Sequence, residues 1–254
     1  MEADPALVAY EAFARVYNEF NHLNDYEMWL GRALLPELRK RGLQEGGKAL
    51  DVACGTGRAF QPLLRRGWQI HGCDLSPAML ERAAQEAGDG DVTLQVADMR
   101  ELPVLGEFDL VLSLNDSVNY LLDDDDLVQA LTGMRRNLAE LGLLIFDVNS
   151  SSTYTDTYCN AHETEHEGSS WTWSGKGEVS PSIFEAQLAG DGIDEPIQQL
   201  ERLRPEAEVL EAMRAADLEP LAALGMSERD GEVVLASPPD EDRDYKLVFI
   251  GRSA

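Results

Sequence analysis

The chain has 254 residues, 44% of them hydrophobic, enough to bury one large core or two unequal ones. Its 47 acidic against 21 basic residues give a formal charge of −26 with no basic patch in view, a surface that repels phosphate backbones and anionic lipid and so argues against nucleic-acid and membrane partners. Three cysteines without C-x-x-C spacing, an M-E-A-D-P start without a basic and apolar leader, and no apolar run of membrane-spanning length lead to the expectation of a cytoplasmic protein with reduced thiols.

Residues 5–41 carry apolar side chains at helical spacing in two groups, Leu7 to Phe20 and Trp29 to Leu38, which predicts two helices broken near Asn21 to Asp25. Next comes K-A-L-D-V-A-C-G-T-G, residues 48–57. An apolar run interrupted by Asp51 enters a turn punctuated by Gly55 and Gly57, which predicts a buried strand, a tight loop and a helix from about Arg58 to Gly67. Such a loop bares main-chain N–H groups to a polar or anionic ligand. Trp68 to Asp74 reads as the second strand. An acid at that strand's carboxyl end, 17 residues beyond Gly57, suits the two hydroxyls of a ribose, although Asp74 can equally cap the helix opening at Ser76-Pro77.

A helix over 76–87, a strand over 92–96 ending in Ala97-Asp98-Met99, and a fourth strand over 108–113 follow. Residues 115–120, beyond the fourth strand, are placed to face a ligand. The acidic run 123–126 reads as the first turn of a helix reaching about Leu138, not as a metal site, and Leu141 to Val148 as a fifth strand. Between Ser150 and Arg204 helical periodicity vanishes, and alternating aromatics predict a small antiparallel layer. His162-Glu163-Thr164-Glu165-His166 spells H-E-x-x-H, but without a helical apolar stripe or a third ligand zinc is not expected there. A helix over 205–216 and strands over 218–224 and 245–251, joined by an exposed turn at 237–244, end the chain.

D-V-A-C-G-T-G, D-L-S-P-A-M-L-E-R-A and the acid–methionine pair at 98–99 together resemble class I S-adenosylmethionine-dependent methyltransferases, with Ala53 standing where that family's first motif has a glycine. The resemblance covers about Lys48 to Asn149. It implies a Rossmann-like, seven-stranded, mostly parallel sheet with an antiparallel last strand, an N-terminal helical cover (1–45), a cofactor-binding core (46–150), a β insertion serving as acceptor lid (151–204) and a C-terminal completion of the sheet (205–254). It implies S-adenosyl-L-methionine as cofactor, held by Asp51, Ala53, Cys54, Gly55 and Gly57 at the glycine turn, by Asp74, Leu75 and Met79 around the ribose, by Asp98 and Met99 at the adenine, and by Asn115, Tyr17 and Trp29 towards the methionine. The acceptor implied is a small molecule, with nitrogen favoured over oxygen or carbon. A general base, where one is needed, comes from His162, His166, Tyr154 or Asp147. Two other readings stand beside this one: a non-catalytic S-adenosylmethionine binder, and a nicotinamide oxidoreductase, whose G-x-G-x-x-G would need a glycine where Phe60 stands.

Overall fold

Asp4 opens the described part of the chain, residues 4–254 of a computed structural model, by capping helix α1 (Pro5–Phe13). Its carboxylate accepts from the N–H groups of Ala6 (2.9 Å) and Leu7 (3.3 Å), and Pro5 takes the first helical position, where no N–H is needed. The first predicted helix is in fact two. Residues 14–16 break it before the short α2 (Tyr17–Phe20), and the Asn- and Asp-rich turn at 21–25 comes next, where it was predicted. A π-helical stretch, Glu27–Leu34, then runs straight into α3 (Leu35–Lys40), with Leu30, Leu34, Leu35 and Leu38 fully buried against the sheet.

Strand β1 (Lys48–Val52) leads through the glycine turn to α4, which is regular only over Gln61–Leu64, shorter than predicted. Pro62 lacks the N–H that would bond back to Arg58 and open the helix earlier. Then come β2 (Gln69–Asp74), α5 (Pro77–Ala87), β3 (Val92–Val96), β4 (Phe108–Ser113), α6 (Asp124–Arg135) and β5 (Leu138–Asn149). Helix α6 stops short of Leu138, and β5 starts earlier than predicted, because buried Asn137 turns the chain. Its side chain bonds the carbonyls of Gly133 and Pro103 (both 2.9 Å) and the N–H of Leu105 (2.6 Å). The turn α7 (Ser151–Thr153) winds on through Tyr154–Tyr158 into the predicted antiparallel layer. It consists of β6 (Ala161–His166), β7 (Ser169–Ser180), β8 (Ile183–Gly190) and β9 (Ile197–Arg202), paired in sequence order.

Helix α8 (Glu206–Ala215) returns the chain to the main sheet, completed by β10 (Leu218–Arg229), β11 (Glu232–Ala236) and β12 (Lys246–Ser253). The order is β11-β10-β12-β5-β4-β1-β2-β3, parallel from β3 to β5 and antiparallel at β12. Among the described residues this sheet has eight strands, one more than predicted. Strand β11 folds back on β10 through Asp230-Gly231, both at positive φ (54° and 76°), the dipeptide that suits a two-residue hairpin.

One face of the sheet buries Leu50, Val111, Leu144 and Phe249 under α6 and α8, and the other buries Ala49, Leu110, Ile145 and Ile250 with Phe60, Leu63 and the leucines of α3. A separate apolar cluster joins α1 and α2 to the insertion: Phe13, Tyr17, Trp171, Leu188 and Ile197, with Met79 of α5 beneath. Strand order reverses between β1, flanked by β2, and β4. The carboxyl ends of these strands therefore diverge into a crevice, the N-terminal helices cover it, and the insertion packs on those helices. Among the described residues no helix is long and apolar enough to cross a membrane.

Candidate functional site

The glycine turn curls because Ala53, Gly55 and Gly57 all sit at positive φ (58°, 53° and 82°). At Ala53 a side chain tolerates a conformation costing about 1–2 kcal/mol outside glycine. The other two are glycine for different reasons. A Cβ on Gly55 would meet nothing within 4 Å, so its main chain lies open to the crevice, whereas one on Gly57 would stand 2.5 Å from Cζ of the fully buried Phe60. Gly57→Ala is therefore expected to destabilise the protein by about 1–3 kcal/mol, read as a lower urea midpoint at unchanged slope, because strain and overpacking add.

The crevice is a cavity of about 930 Å³, counting its mouth, and reaches from Asp98 past Asp74 and the turn to Tyr120. Asp74 is buried. Its Oδ2 accepts from the N–H of Gly55 (2.8 Å) and its Oδ1 from that of Ser76 (2.9 Å), so it ties the glycine turn to the start of α5. Each oxygen keeps a further lone pair, and those can accept two vicinal hydroxyls. Burial raises its pKa, partly offset by the bonds from Ser76 and Gly55. Asp51 stands behind the turn, outside the cavity wall. Both its oxygens are buried without a partner, and burial, with Asp74 nearby, holds its pKa well above the ordinary carboxylate value.

At the far end Leu75 and Met99 give an apolar lining, and Asp98 is gripped by Arg100, whose Nε lies 2.9 and 3.0 Å from its two oxygens. Burial alone would raise the Asp98 pKa, but Arg100 outweighs it and holds the group ionised below the usual range. Arg100 also bonds Asp4 (2.6 Å) and so fastens the start of α1 over this end. The cover is pinned elsewhere too. Glu11 accepts from Ser76 Oγ (2.6 Å), Asn18 from Thr56 Oγ1 (2.6 Å), and Arg58 bonds the carbonyls of Asn21 (2.7 Å) and Asn24 (2.8 Å) while lying over the Tyr26 ring.

Beyond β4, Asn115 and Asp116 are consecutive non-glycine residues at positive φ (66° and 57°). The strain persists because Asp147 of β5 accepts both of their N–H groups, at 2.7 and 2.9 Å. Buried Lys246 of β12 lies 2.8 Å from Asp147 and in closer contact with Asp116. Burial alone would lower the Lys246 pKa, but the two carboxylates overcome it and raise it. Asn115 Nδ2 donates to Tyr17 Oη (3.4 Å), and Tyr10, Tyr17, Tyr26 and Tyr120 wall this end of the cavity. Burial raises all four phenols, Tyr17 to about 12, so near neutral pH they are neutral donors and aromatic surfaces.

Of the residues singled out in the sequence, the fold brings Tyr17, Ala53, Cys54, Gly55, Asp74, Leu75, Asp98, Met99 and Asn115 to one cavity. Asp51, Gly57 and Met79 lie just behind its wall. Trp29 packs on Tyr26 and Tyr245 instead (ring centroids 5.3 and 6.4 Å), and Tyr154 is buried in the insertion with its hydroxyl on Glu201 (3.1 Å). His162 and His166 lie on β6 away from the lining. His162 Nε2 contacts the Asp156 carbonyl, and His166 stacks on His22 at 4.2 Å. On a strand, histidines four residues apart are separated by roughly 13 Å, unlike the adjacent ligands of a helical H-E-x-x-H. Among the described residues no three His, Cys, Asp or Glu side chains are grouped to hold a metal. Tyr10, Arg100 and Lys246 went unpredicted. The one signal in the sequence was a lysine opening the apolar strand K-L-V-F-I-G.

A family profile described as a methyltransferase domain matches residues 49–142. A provisionally named methyltransferase of Geobacillus sp. (strain WCH70) is 34% identical over 170 residues, 66% of this chain and 68% of that protein. Another, from Bacillus subtilis (strain 168), is 34% identical over 59% of each, so this chain spans less than two thirds of that relative's length. The dTDP-3-amino-3,4,6-trideoxy-alpha-D-glucopyranose N,N-dimethyltransferase of Streptomyces venezuelae is 27% identical over 59% of this chain and 67% of its own. In fold, the crystal structure of an S-adenosylmethionine-dependent methyltransferase from Clostridium acetobutylicum superposes with a TM-score of 0.77 at 21% identity, covering 96% of this chain and 99% of that one.

Proposed function

This chain belongs to the class I S-adenosylmethionine-dependent methyltransferase family, and from that premise we propose that it methylates a nitrogen of a small-molecule acceptor. The observation that carries this reading is the single cavity joining Asp74 and the open Gly55 main chain to a buried tyrosine wall. Bound there, S-adenosylmethionine would supply a methyl group already activated by its sulfonium. In this reading Asp74 holds the ribose hydroxyls, the open main chain of the glycine turn at Gly55 lies along the amino-acid tail, and Met99 and Leu75 pack the adenine. Asp98 orders that end through Arg100. Asn115 and Tyr17 fix the approach to the methyl carbon, and Tyr10, Tyr26 and Tyr120 exclude water and orient the acceptor. Such an arrangement works by proximity and alignment. The choice of nitrogen draws on the amino-sugar dimethyltransferase among the relatives.

The test is methyl transfer by the purified protein from tritium-labelled S-adenosylmethionine to a panel of small amines and their hydroxyl counterparts. Label in the amines is the expected result. Label confined to the hydroxyl compounds overturns the choice of nitrogen, and label in neither leaves a non-catalytic binder.

A further inference from the structure

The charged side chains that line the cavity are the acids Asp4, Asp74 and Asp98 and the bases Arg58 and Arg100. Arg100 is taken up by Asp98 and Asp4, and Asp74 accepts from the N–H groups of Gly55 and Ser76. Arg58, directly after the glycine turn, is placed differently. Its Nη1 donates to the carbonyl of Asn21 (2.7 Å) and its Nη2 to that of Asn24 (2.8 Å), both in the turn that follows α2. The acids of the surrounding elements pair elsewhere, Glu19 with Arg82 and both Asp116 and Asp147 with Lys246, and among the described residues none forms an ion pair with Arg58.

Carbonyl oxygens fix a guanidinium without neutralising it. The two bonds leave it further N–H donors, and its carbon lies 5.7 Å from the centre of the Tyr26 ring, so the half-buried cation is held in place before any ligand arrives. Burial raises the Tyr17 and Tyr26 phenols, and the charge of Arg58 opposes the rise in both, which sets the cation at the tyrosine end of the cavity. The open main chain of Gly55 lines the same space. On a chain of net charge −26 an arginine so fixed and left without a counter-charge is suited to an anion brought by the ligand.

Resting on the methyl-transfer reading, we propose that Arg58 binds the α-carboxylate of the cofactor's amino-acid tail and makes the site selective for nucleosides that carry it. A carboxylate offers two oxygens to the guanidinium fork, and such charge-assisted bonds are among the stronger ones a half-buried site can form. Asp74 and Arg58 then divide the recognition of the cofactor: an acid takes the sugar, and a base takes the acid of the tail. Because Arg58 keeps its bonds to Asn21 and Asn24, it also ties the N-terminal cover to the glycine turn. An arginine that did only this would weaken every ligand alike when removed, whereas one that pairs with the carboxylate weakens only those that have it.

The experiment is calorimetry with S-adenosylhomocysteine and its decarboxylated analogue S-adenosyl-3-thiopropylamine, which keeps the nucleoside, the sulfur and the amine and lacks only the carboxylate. The wild-type protein is expected to bind S-adenosylhomocysteine at least about tenfold more tightly than the analogue. Arg58→Gln is expected to bring the two affinities within about twofold by weakening S-adenosylhomocysteine alone, and Arg58→Lys, which keeps the charge without the fork, to leave a ratio in between. Equal affinity of the wild type for the two ligands overturns the proposal. So does a ratio in Arg58→Gln as large as in wild type, the mark of an arginine that only fastens the cover. Should Arg58→Gln fail to fold, Arg58→Lys decides alone, an undiminished ratio overturning the proposal. Uptake of S-adenosylhomocysteine by the wild type, measured first, separates the two readings: its failure removes the methyl-transfer reading, and its success with a ratio indifferent to Arg58 removes only this assignment.

Discussion

Asp74→Ala is expected to weaken S-adenosylhomocysteine binding by about 1.5–3 kcal/mol, or roughly 10- to 150-fold in Kd. The side chain it removes does two jobs. Its oxygens hold the N–H groups of Gly55 and Ser76, which fixes the turn against α5, and their remaining lone pairs are the acceptors offered to a ribose. Asp74→Asn keeps one oxygen and much of the shape, so its loss is expected to fall between wild type and alanine. Since burial raises the Asp74 pKa, acidification is expected to erode affinity at a higher pH than for an exposed aspartate, as the carboxylate gains a proton and loses acceptor capacity. Calorimetry checks all three, and an unchanged Kd in Asp74→Ala takes the residue out of the site.

The second large effect is on folding. Lys246→Met is expected to cost about 3–5 kcal/mol, because it strands Asp116 and Asp147 in a buried place without a counter-charge. At this chain length that corresponds to a fall in Tm of roughly 6–20 °C. The harm should reach the site as well. Asp147 clamps the left-handed pair Asn115 and Asp116, and a relaxed pair no longer aims Asn115 at Tyr17. The double variant Lys246→Met with Asp116→Asn is expected to regain part of the stability, since one of the stranded charges is gone. Thermal unfolding decides, and a single variant as stable as wild type would mean that the two carboxylates are solvated without the lysine.

What was legible beforehand was local. The glycine turn, the acid at the end of β2 and the acid–methionine pair after β3 each lie within a few residues of the strand that positions them, and periodicity identifies those strands. The parallel order follows because short strands alternating with helices leave few other arrangements. The hairpin β10–β11 is legible too, since Asp230-Gly231 just ahead of the β-branched pair Val233-Val234 signals it, yet the predicted strand ends at Leu224 and 225–236 carry no predicted element.

The rest of the site is assembled by contacts that spacing does not carry. Asn115 meets Tyr17 across 98 positions and Lys246 meets Asp116 across 130, so only the closed fold brings them together. Trp29 lies on the predicted cover, yet the π-helical stretch turns it towards Tyr245, while Tyr10 faces the cavity from α1.

The most direct measurement is a crystal structure of the protein with S-adenosylhomocysteine. The expected density has the ribose hydroxyls within hydrogen-bond distance of Asp74, the amino-acid tail along the main chain of Gly55, the adenine between Leu75 and Met99, and the sulfur turned towards Asn115 and Tyr17. A ligand bound anywhere else, or a crevice closed by protein side chains at saturating ligand, would contradict it.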